Sequence, residues 1–414
     1  MRKADPFNLL RLLYASGPLS RTDLAKKSGT AASYVTAVIS RTQASGIVSE
    51  TGALPSTRGR RRVLLSINPD LAQLLGVDIG RWHVRIAVAD FAAGVREYVC
   101  IKSEAALGRE HVLQLVQNAL ERILPKYPQI AGVGISHSGV INQREGKVLF
   151  WPQFTGWEDT PLKEIFEQKY GLPTFVQDEV RAMASMEHRF GQGKDLRNFV
   201  FLYVGMGIGS AIYVNGRLYS GSDGLAGEMG HTTVENDGPL CSCGNRGCLE
   251  LYASAAALIT RVRSELGHRV SSTLNGDRNL DSLSIEEIAA AAEANDRLAA
   301  RVLSEGGGYL GTALAGVVNL LNPERIILAG KVPRSQEGIY FTSLLYNLRD
   351  RAYPQATRNL QVVVSQLGED AAALGAAVIA GEHVLKTRCR EMEQSNPGGL
   401  GKDPKPVLQQ DTFV

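Results

Sequence analysis

The chain has 414 residues, of which 44 % are hydrophobic and 21 % are charged, and these proportions indicate a globular protein with two or three domains. No apolar run reaches the roughly 18 residues that a membrane helix needs, and the N-terminus lacks the core and cleavage site of a signal peptide. We therefore expect a cytoplasmic protein in which the five cysteines do not form a disulfide framework.

The net charge of +3 is unevenly distributed. Residues 1–70 contain 11 Lys and Arg against 4 Asp and Glu, whereas the remainder of the chain contains 34 against 38. A small basic segment on a mildly acidic body favours contact between that segment and a polyanion, although an ordinary solvated surface would give the same balance.

Residues 1–70 are expected to form a DNA-binding head. Apolar residues at helical spacing predict a first helix over residues 7–15. Ser20 is suited to the N-cap of a second helix, which should end at Gly29, and a third helix follows over residues 31–44. Two short helices joined by a glycine-containing turn predict a helix-turn-helix, with a protein-interaction module as the alternative.

A hairpin predicted after Gly46 would complete a winged helix-turn-helix, with the third helix in the major groove of DNA. The hairpin loop carries four arginines around Gly59, and arginine suits the narrow minor groove of A·T-rich DNA; the alternative is a solvated linker. The predicted DNA contacts lie on the exposed face of the third helix and in this loop, and they are Ser33, Tyr34, Thr36, Arg41, Arg58, Arg60 and Arg61.

Residues 71–385 are expected to form an α/β body with two similar lobes and a ligand cleft between them. Two segments, which begin near Leu74 and at Asn198, share the form strand, glycine-containing turn, strand. The predicted helices span residues 110–124, 161–170 and 179–190. Residues 386–414 contain several Gly and Pro residues and are expected to form a disordered tail.

The strongest chemical signal is a group of one histidine and three cysteines within 18 residues. These residues are His231, Cys241, Cys243 and Cys248. The residue types and their spacing match a tetrahedral zinc site, with free structural thiols as the alternative. Four protein ligands leave no open position on the metal, so the zinc is expected to be structural.

The pattern CxCGxxGCxE, from Cys241 to Glu250, and the upstream GExGH that ends at His231 resemble the ROK family of repressors, open reading frames and kinases. The resemblance runs from about Asn8 to Leu385, and the head is similar to that of the xylose- and N-acetylglucosamine-responsive repressors. It implies an actin-like, hexokinase-type double lobe, a homodimer or homotetramer, and zinc bound by the four residues named above.

The resemblance also implies a sugar site. The Asn-Asp pair that carries the catalytic base of the family kinases matches Gln177 and Asp178. The acid and histidine of GExGH match Glu228 and His231, and the last acid of the cysteine pattern matches Glu250. His137 lies where the family usually has Pro-Gly, and we expect it at the rim of a remodelled pocket. The expected effector residues are Gln177, Asp178, Glu228, His231, Glu250 and His137.

Three glycine loops depart from the kinase pattern. The usual DxGGT reads Asp78-Ile-Gly80-Arg81-Trp82, Met206 replaces the Thr of GTGxG, and a GG pair reads Ala329-Gly330. Bulky or non-hydroxyl side chains disfavour close approach of ATP phosphates. We therefore expect a protein that is not an enzyme, in which Asp178 is a vestigial base.

The expected function is a repressor of carbohydrate-metabolism genes that responds to a sugar or sugar phosphate effector. Sugar binding would change the closure of the lobes, the spacing of two heads in a dimer, and hence the affinity for operator DNA. Activation in place of repression and a protein partner in place of sugar stay open. So do a sugar kinase with a DNA-binding head and a zinc-stabilised protein that binds DNA regardless of sugar.

Overall fold

The computed structural model describes residues 5–54, 62–151, 154–275, 279–335 and 338–395. The chain forms two compact units. Unit 1 comprises Met1–His137, Thr160–Gln177 and Asp370–Val414, and unit 2 comprises Ser138–Asp159 and Asp178–Glu369. The basic head therefore belongs to the same compact unit as the first strands of the body, and both units are discontinuous in sequence.

The head contains three helices followed by a two-stranded antiparallel sheet. These elements are α1 (Pro6–Ser16), α2 (Arg21–Ser28), α3 (Ala32–Ala44), β1 (Val48–Leu54) and β2 (Arg62–Ile67). Ser20 caps α2 through a reciprocal pair of hydrogen bonds with Asp23, as the sequence predicts. The apolar face of α3 is buried, since Val35, Val38 and Ile39 are each at most 1 % exposed.

The body part of unit 1 contains a five-stranded sheet of order β5-β4-β3-β6-β9. Its strands are β3 (Gln73–Ile79), β4 (His83–Asp90), β5 (Val95–Lys102), β6 (Ile130–His137) and β9 (Thr174–Asp178). Strand β4 is antiparallel to both β3 and β5, whereas β6 is parallel to β3. Its helices are α4 (Arg109–Ile123), α5 (Leu162–Tyr170) and α14 (Ala371–Ser395).

Unit 2 contains a five-stranded sheet of order β12-β11-β10-β13-β14 and a short hairpin, β7 with β8. The strands are β7 (Val140–Asn142), β8 (Lys147–Phe150), β10 (Phe199–Val204), β11 (Ile208–Val214), β12 (Arg217–Leu218), β13 (Arg325–Ala329) and β14 (Gln361–Val364). The helices are α6 (Glu179–Phe190), α7 (Glu250–Ala253), α8 (Ala255–Gly267), α9 (Ile285–Glu293), α10 (Arg297–Leu321), α11 (Lys331–Ser335), α12 (Ile339–Arg351) and α13 (Pro354–Thr357). Short 3-10 turns span Pro69–Leu71, Ala105–Leu107, Leu124–Lys126, Met229–His231 and Leu280–Ser282.

The two five-stranded sheets have the same strand order. Each begins with two antiparallel strands joined by a glycine-containing turn, and in each the first strand also pairs in parallel with a later strand. The predicted α/β class with two similar parts is therefore confirmed at the level of sheets and helices. Among the described residues, no helix has the length and apolar character needed to cross a membrane.

The predicted start of the tail at residue 386 is wrong, because α14 continues as a helix to Ser395. Its last turns are held against the head: Cys389 is buried, and the Arg41 guanidinium of α3 donates to the Met392 carbonyl at 3.4 Å. The remainder of the predicted tail, residues 396–414, lies outside the described residues.

Candidate metal centre and effector site

Four possible metal ligands meet in the loop between β12 and α7 of unit 2. The ligand atoms of His231, Cys241, Cys243 and Cys248 all lie within 4.8 Å of one another. The Cys243 and Cys248 sulfurs are 3.7 Å apart, and Cys241 Sγ lies 3.6 Å from His231 Nδ1. A tetrahedral site with Zn–S bonds of about 2.3 Å separates its sulfurs by about 3.8 Å, so this donor set fits a tetrahedral metal ion.

The backbone of this loop explains how the ligands converge. The Cys241 N–H donates to the Asn245 carbonyl at 2.7 Å, which folds the segment between them into a tight turn. Gly247 has φ +64°, and a Cβ there would lie 1.7 Å from the Glu235 carbonyl oxygen. Only glycine therefore fits at this position, next to the buried Cys248.

The pKa values of Cys243 and Cys248 are shifted in opposite directions. Burial, with hydrogen bonds to Cys243 and Cys241, raises the pKa of Cys248 to about 12. The exposed Cys243 has a lowered pKa, chiefly because the Asn245 backbone N–H donates to it. A bound cation would offset the cost of gathering several thiolates, as metal ions do in such sites.

The acid at each end of the metal loop is placed by local structure. Glu228 precedes the 3-10 turn that ends at His231, and its side chain is exposed. Glu250 begins α7, and its Oε2 accepts a hydrogen bond from the Ile208 backbone N–H at 2.8 Å. Glu250 thereby links the metal loop to the glycine-containing turn between β10 and β11.

Asp178 is the N-cap of α6 and accepts hydrogen bonds from the backbone N–H groups of Val180 and Arg181, at 2.9 and 3.1 Å. Burial raises the pKa of Asp178 to about 6; Arg181 opposes this shift and the negative charge of Glu228 adds to it. Arg181 also donates to the Ala226 carbonyl, two residues before Glu228. Unit 2 thus connects Asp178, Glu228, His231 and Glu250 by short contacts and chain segments.

The other two expected effector residues belong to unit 1. Gln177 is 2 % exposed and immediately precedes Asp178 in β9. His137 ends β6 and is completely buried, which differs from the rim position that the sequence suggested. Burial lowers the pKa of His137 to about 3, so its imidazole is neutral at physiological pH.

The first glycine turn contains an ion pair that sequence reasoning missed. Asp78 is fully buried, accepts a hydrogen bond from Ser136 Oγ at 2.8 Å, and pairs with the Arg85 guanidinium at 3.0 Å. Asp78 and Arg85 are also direct cross-strand partners of β3 and β4. The signal was available, because a hairpin that turns at residues 81–82 places these residues opposite one another. The turn also exposes Trp82, with Arg81 stacked against its ring.

The other two glycine loops are shaped by close backbone contacts. In the turn from Gly205 to Gly207, the Gly205 N–H donates to the Gly207 carbonyl at 3.0 Å, and Met206 is 42 % exposed. Gly330 has φ +101°, and Lys331 after it forms an ion pair with Glu286 at 2.9 Å.

Of the predicted DNA contacts, Ser33 and Thr36 are exposed on α3, while Tyr34 and Arg41 are half-buried. The contact between Arg41 and α14 gives this arginine a partner inside the protein. The predicted loop contacts, Arg58, Arg60 and Arg61, lie outside the described residues.

Comparison with known proteins matches residues 74–383 to the sequence model of the ROK family. The chain is 30 % identical over 381 residues to the xylose repressor of Caldicellulosiruptor bescii, covering 91 % of this chain and 94 % of that protein. A solved structure described as a ROK family transcriptional regulator, homolog of the E. coli MLC protein, matches with a TM-score of 0.78 and 30 % identity, covering 93 % of this chain and 98 % of the other. A solved ROK hexokinase from Thermus thermophilus matches with a TM-score of 0.65 and 27 % identity, covering 76 % of this chain and 99 % of the other.

Proposed function

The chain belongs to the ROK family, and on that basis we propose that it is a DNA-binding transcriptional regulator, a repressor of carbohydrate-metabolism genes that responds to a sugar or sugar derivative. One observation carries the proposal. Similarity to a xylose repressor extends over 91 % of the chain, whereas similarity to a hexokinase extends over 76 %. The difference is close in size to the basic head, the part that a regulator needs and a kinase does not.

The head supports this function as a winged helix-turn-helix. Three helices followed by a two-stranded hairpin suit that motif, and α3 is its recognition helix. The exposed Ser33 and Thr36, with Tyr34 beside them, face the major groove. The arginines at 58, 60 and 61 contact the minor groove or the phosphates.

The proposed metal centre stabilises a loop of the body. His231, Cys241, Cys243 and Cys248 hold a structural zinc ion, since four protein ligands complete a tetrahedral shell. Zinc supplies folding stability to the loop and no reactive position. Because Nδ1 of His231 faces Cys241, the ring leaves Nε2 for a ligand other than the metal.

The effector site combines three carboxylates with that imidazole nitrogen. Asp178, Glu228 and Glu250 accept hydrogen bonds from vicinal hydroxyls, and His231 fixes the orientation of the sugar. Gln177 and His137 are the further effector residues that the family resemblance implies, and both belong to unit 1. The effector changes operator affinity because it binds two conformations of the homo-oligomer with different affinities.

Kinase activity is the second candidate, because the fold is shared with a ROK hexokinase. The ion pair of Asp78 with Arg85 and its hydrogen bond from Ser136 argue against kinase activity. A carboxylate that is paired inside the hairpin is not available to a metal–nucleotide complex. The protein is therefore proposed to bind sugar without phosphorylating it.

DNA binding is tested by incubating the full-length protein with fragmented genomic DNA and sequencing the recovered fragments. We expect a two-fold symmetric site near carbohydrate genes and loss of its recovery in Thr36→Glu, which places a negative charge against the phosphates. Thr312→Glu is the matched control, because Thr36 and Thr312 are both exposed helical threonines that donate to the carbonyl four residues earlier. Equal loss in both variants would contradict a recognition role for α3.

Effector binding is tested by thermal melting with xylose, N-acetylglucosamine or glucose, each with and without ATP and Mg²⁺. We expect one sugar to raise the melting temperature and to release the duplex, and ATP alone to do neither. A shift with ATP alone, or sugar-dependent ATP hydrolysis, would favour the kinase and refute the proposal.

A further inference from the structure

The last helix of unit 1, α14, is packed closely against the backbone of the sheet. A Cβ at Gly76 of β3 would lie 1.9 Å from the Ala373 carbonyl oxygen of α14. A Cβ at Gly134 of β6 would lie 1.9 Å from the Ala376 carbonyl oxygen. The helix therefore touches the backbones of both strands, and displacement of either strand displaces the helix.

The same helix reaches the strand that carries two of the proposed effector residues. His383 of α14 stacks on Phe175 of β9, with ring centroids 4.0 Å apart and an interplanar angle of 7°. Phe175 lies two residues before Gln177, and the neighbouring strand β6 ends at His137. One face of α14 thus contacts the strands that carry His137 and Gln177.

Another part of α14 holds the head. The buried Tyr14 hydroxyl of α1 donates to the Val378 carbonyl at 3.0 Å. A Cβ at Gly381 would lie 2.2 Å from that hydroxyl oxygen, so the Tyr14 side chain packs directly against the backbone of α14. Arg41 of the recognition helix donates to the Met392 carbonyl, one turn before the end of α14.

We propose that α14 transmits effector occupancy to the head, and that Tyr14 and Arg41 are the positioning residues that fix the head on it. A single helix of 25 residues contacts β3, β6, β9, α1 and α3, so its position is set jointly by the effector side and the DNA side. This inference rests on the proposed function. It also changes the role of Arg41 from a base or phosphate contact to a link between α3 and α14.

Coupling free energies are reciprocal, so DNA binding must act back on the sheet. The test follows amide hydrogen exchange of residues 130–137, 174–177 and 371–395 in the full-length protein, with and without the duplex recovered from genomic DNA. We expect the duplex to slow exchange in these segments by about fivefold, the lower end of typical coupling. Tyr14→Phe, which keeps the ring and removes the hydroxyl donor, should bind the duplex and lose most of this change.

Tyr340→Phe is the matched control, because Tyr340 also loses one buried hydrogen bond of 3.0 Å, from its hydroxyl to the Ala253 carbonyl in unit 2. Arg41→Met is a second variant should Tyr14→Phe fail to fold. The inference is overturned if the duplex changes exchange only within the head, or if Tyr14→Phe and Tyr340→Phe respond alike. Failure of the wild-type protein to recover any duplex is a different result, and it refutes the proposed function itself.

Discussion

The two glycine-containing turns that open the two sheets have the same backbone plan but different chemistry. In the second-to-last residue pair before the turn, the first hairpin has Asp78 opposite Arg85, whereas the second has Tyr203 opposite Gly209. The first turn balances its charge within its own hairpin. The second receives a carboxylate from outside, because Glu250 of α7 accepts from the Ile208 N–H.

This difference shows how one fold supports unlike roles. The first turn is closed by its ion pair. The second is connected through Glu250 to Cys248, so the candidate metal ligands are linked directly to a turn of the sheet. We therefore expect the two turns to respond to different perturbations.

The largest effect is expected for Arg85→Met. The variant leaves Asp78, whose side chain is 0 % exposed, without its counter-charge, and breaking a buried pair in this way costs about 3–5 kcal/mol. Urea unfolding at pH 7 measures the loss. The double variant with Asp78→Asn removes the stranded charge and should recover most of the stability. A loss below about 1 kcal/mol would show that the pair behaves like a surface pair and would remove the contrast between the turns.

Metal removal should act on the second turn alone. With free zinc at about 100 times its Kd, binding contributes about 2.7 kcal/mol, which a chelator removes. We expect faster hydrogen exchange of the Ile208 amide and no change at residues 78–85. Cys243→Ser should reproduce this pattern and lower the zinc content measured by mass spectrometry, while Cys100→Ser should not, because Cys100 is an exposed thiol outside the cluster. Equal acceleration in both turns would contradict a local role for the metal.

The fifth strands also differ, because the first sheet ends in the acid Asp178 and the second is followed by the uncharged Ser365. The folded-state pKa of Asp178 is raised to about 6, so the folded protein binds this proton more tightly than the unfolded chain. The stability that this provides is present below about pH 4 and is lost as the pH rises through 6. Asp178→Asn should therefore gain about 2 kcal/mol relative to wild type between pH 4 and pH 7, measured by urea unfolding.

Asp296 is the control of opposite sign. It caps α10, and although burial raises its pKa, hydrogen bonds from the Ala299 and Thr273 N–H groups outweigh burial and lower it. Its contribution is present at neutral pH and is lost in acid, so Asp296→Asn should lose stability at pH 7 and little at low pH. A gain in both variants would show that the effect at Asp178 does not come from its raised pKa.

A smaller effect is expected at the second turn itself. Glu250→Ala leaves the buried Ile208 without the acceptor of its N–H, at a cost of about 1–2 kcal/mol, whereas Glu250→Gln keeps an acceptor oxygen. Urea unfolding and hydrogen exchange at Ile208 compare the two variants. Similar losses would mean that the charge, and not the hydrogen bond, holds the turn.

The sequence could predict features that depend on neighbouring residues, but not those that depend on long-range packing. The metal ligands lie within one loop, so their spacing alone indicates their chemistry, and the Ser20 cap is equally local. The contact of Arg41 with α14 joins residues 351 apart, and no periodicity in either helix indicates it. The burial of His137 likewise depends on packing around the end of β6, which a pattern of polar and apolar residues does not describe.

No gain of kinase activity is expected when kinase-like residues are introduced into the turns. The triple variant Arg81→Gly, Trp82→Thr and Met206→Thr removes the side chains that, by the family resemblance, are expected to disfavour ATP binding. The ion pair of Asp78 with Arg85 remains in this variant, so a coupled assay with glucose, ATP and Mg²⁺ should show no phosphorylation above background. Phosphorylation by the triple variant would mean that the turn residues alone had blocked the nucleotide. It would also mean that the ion pair of Asp78 with Arg85 is not the feature that distinguishes this regulator from the kinases of its family.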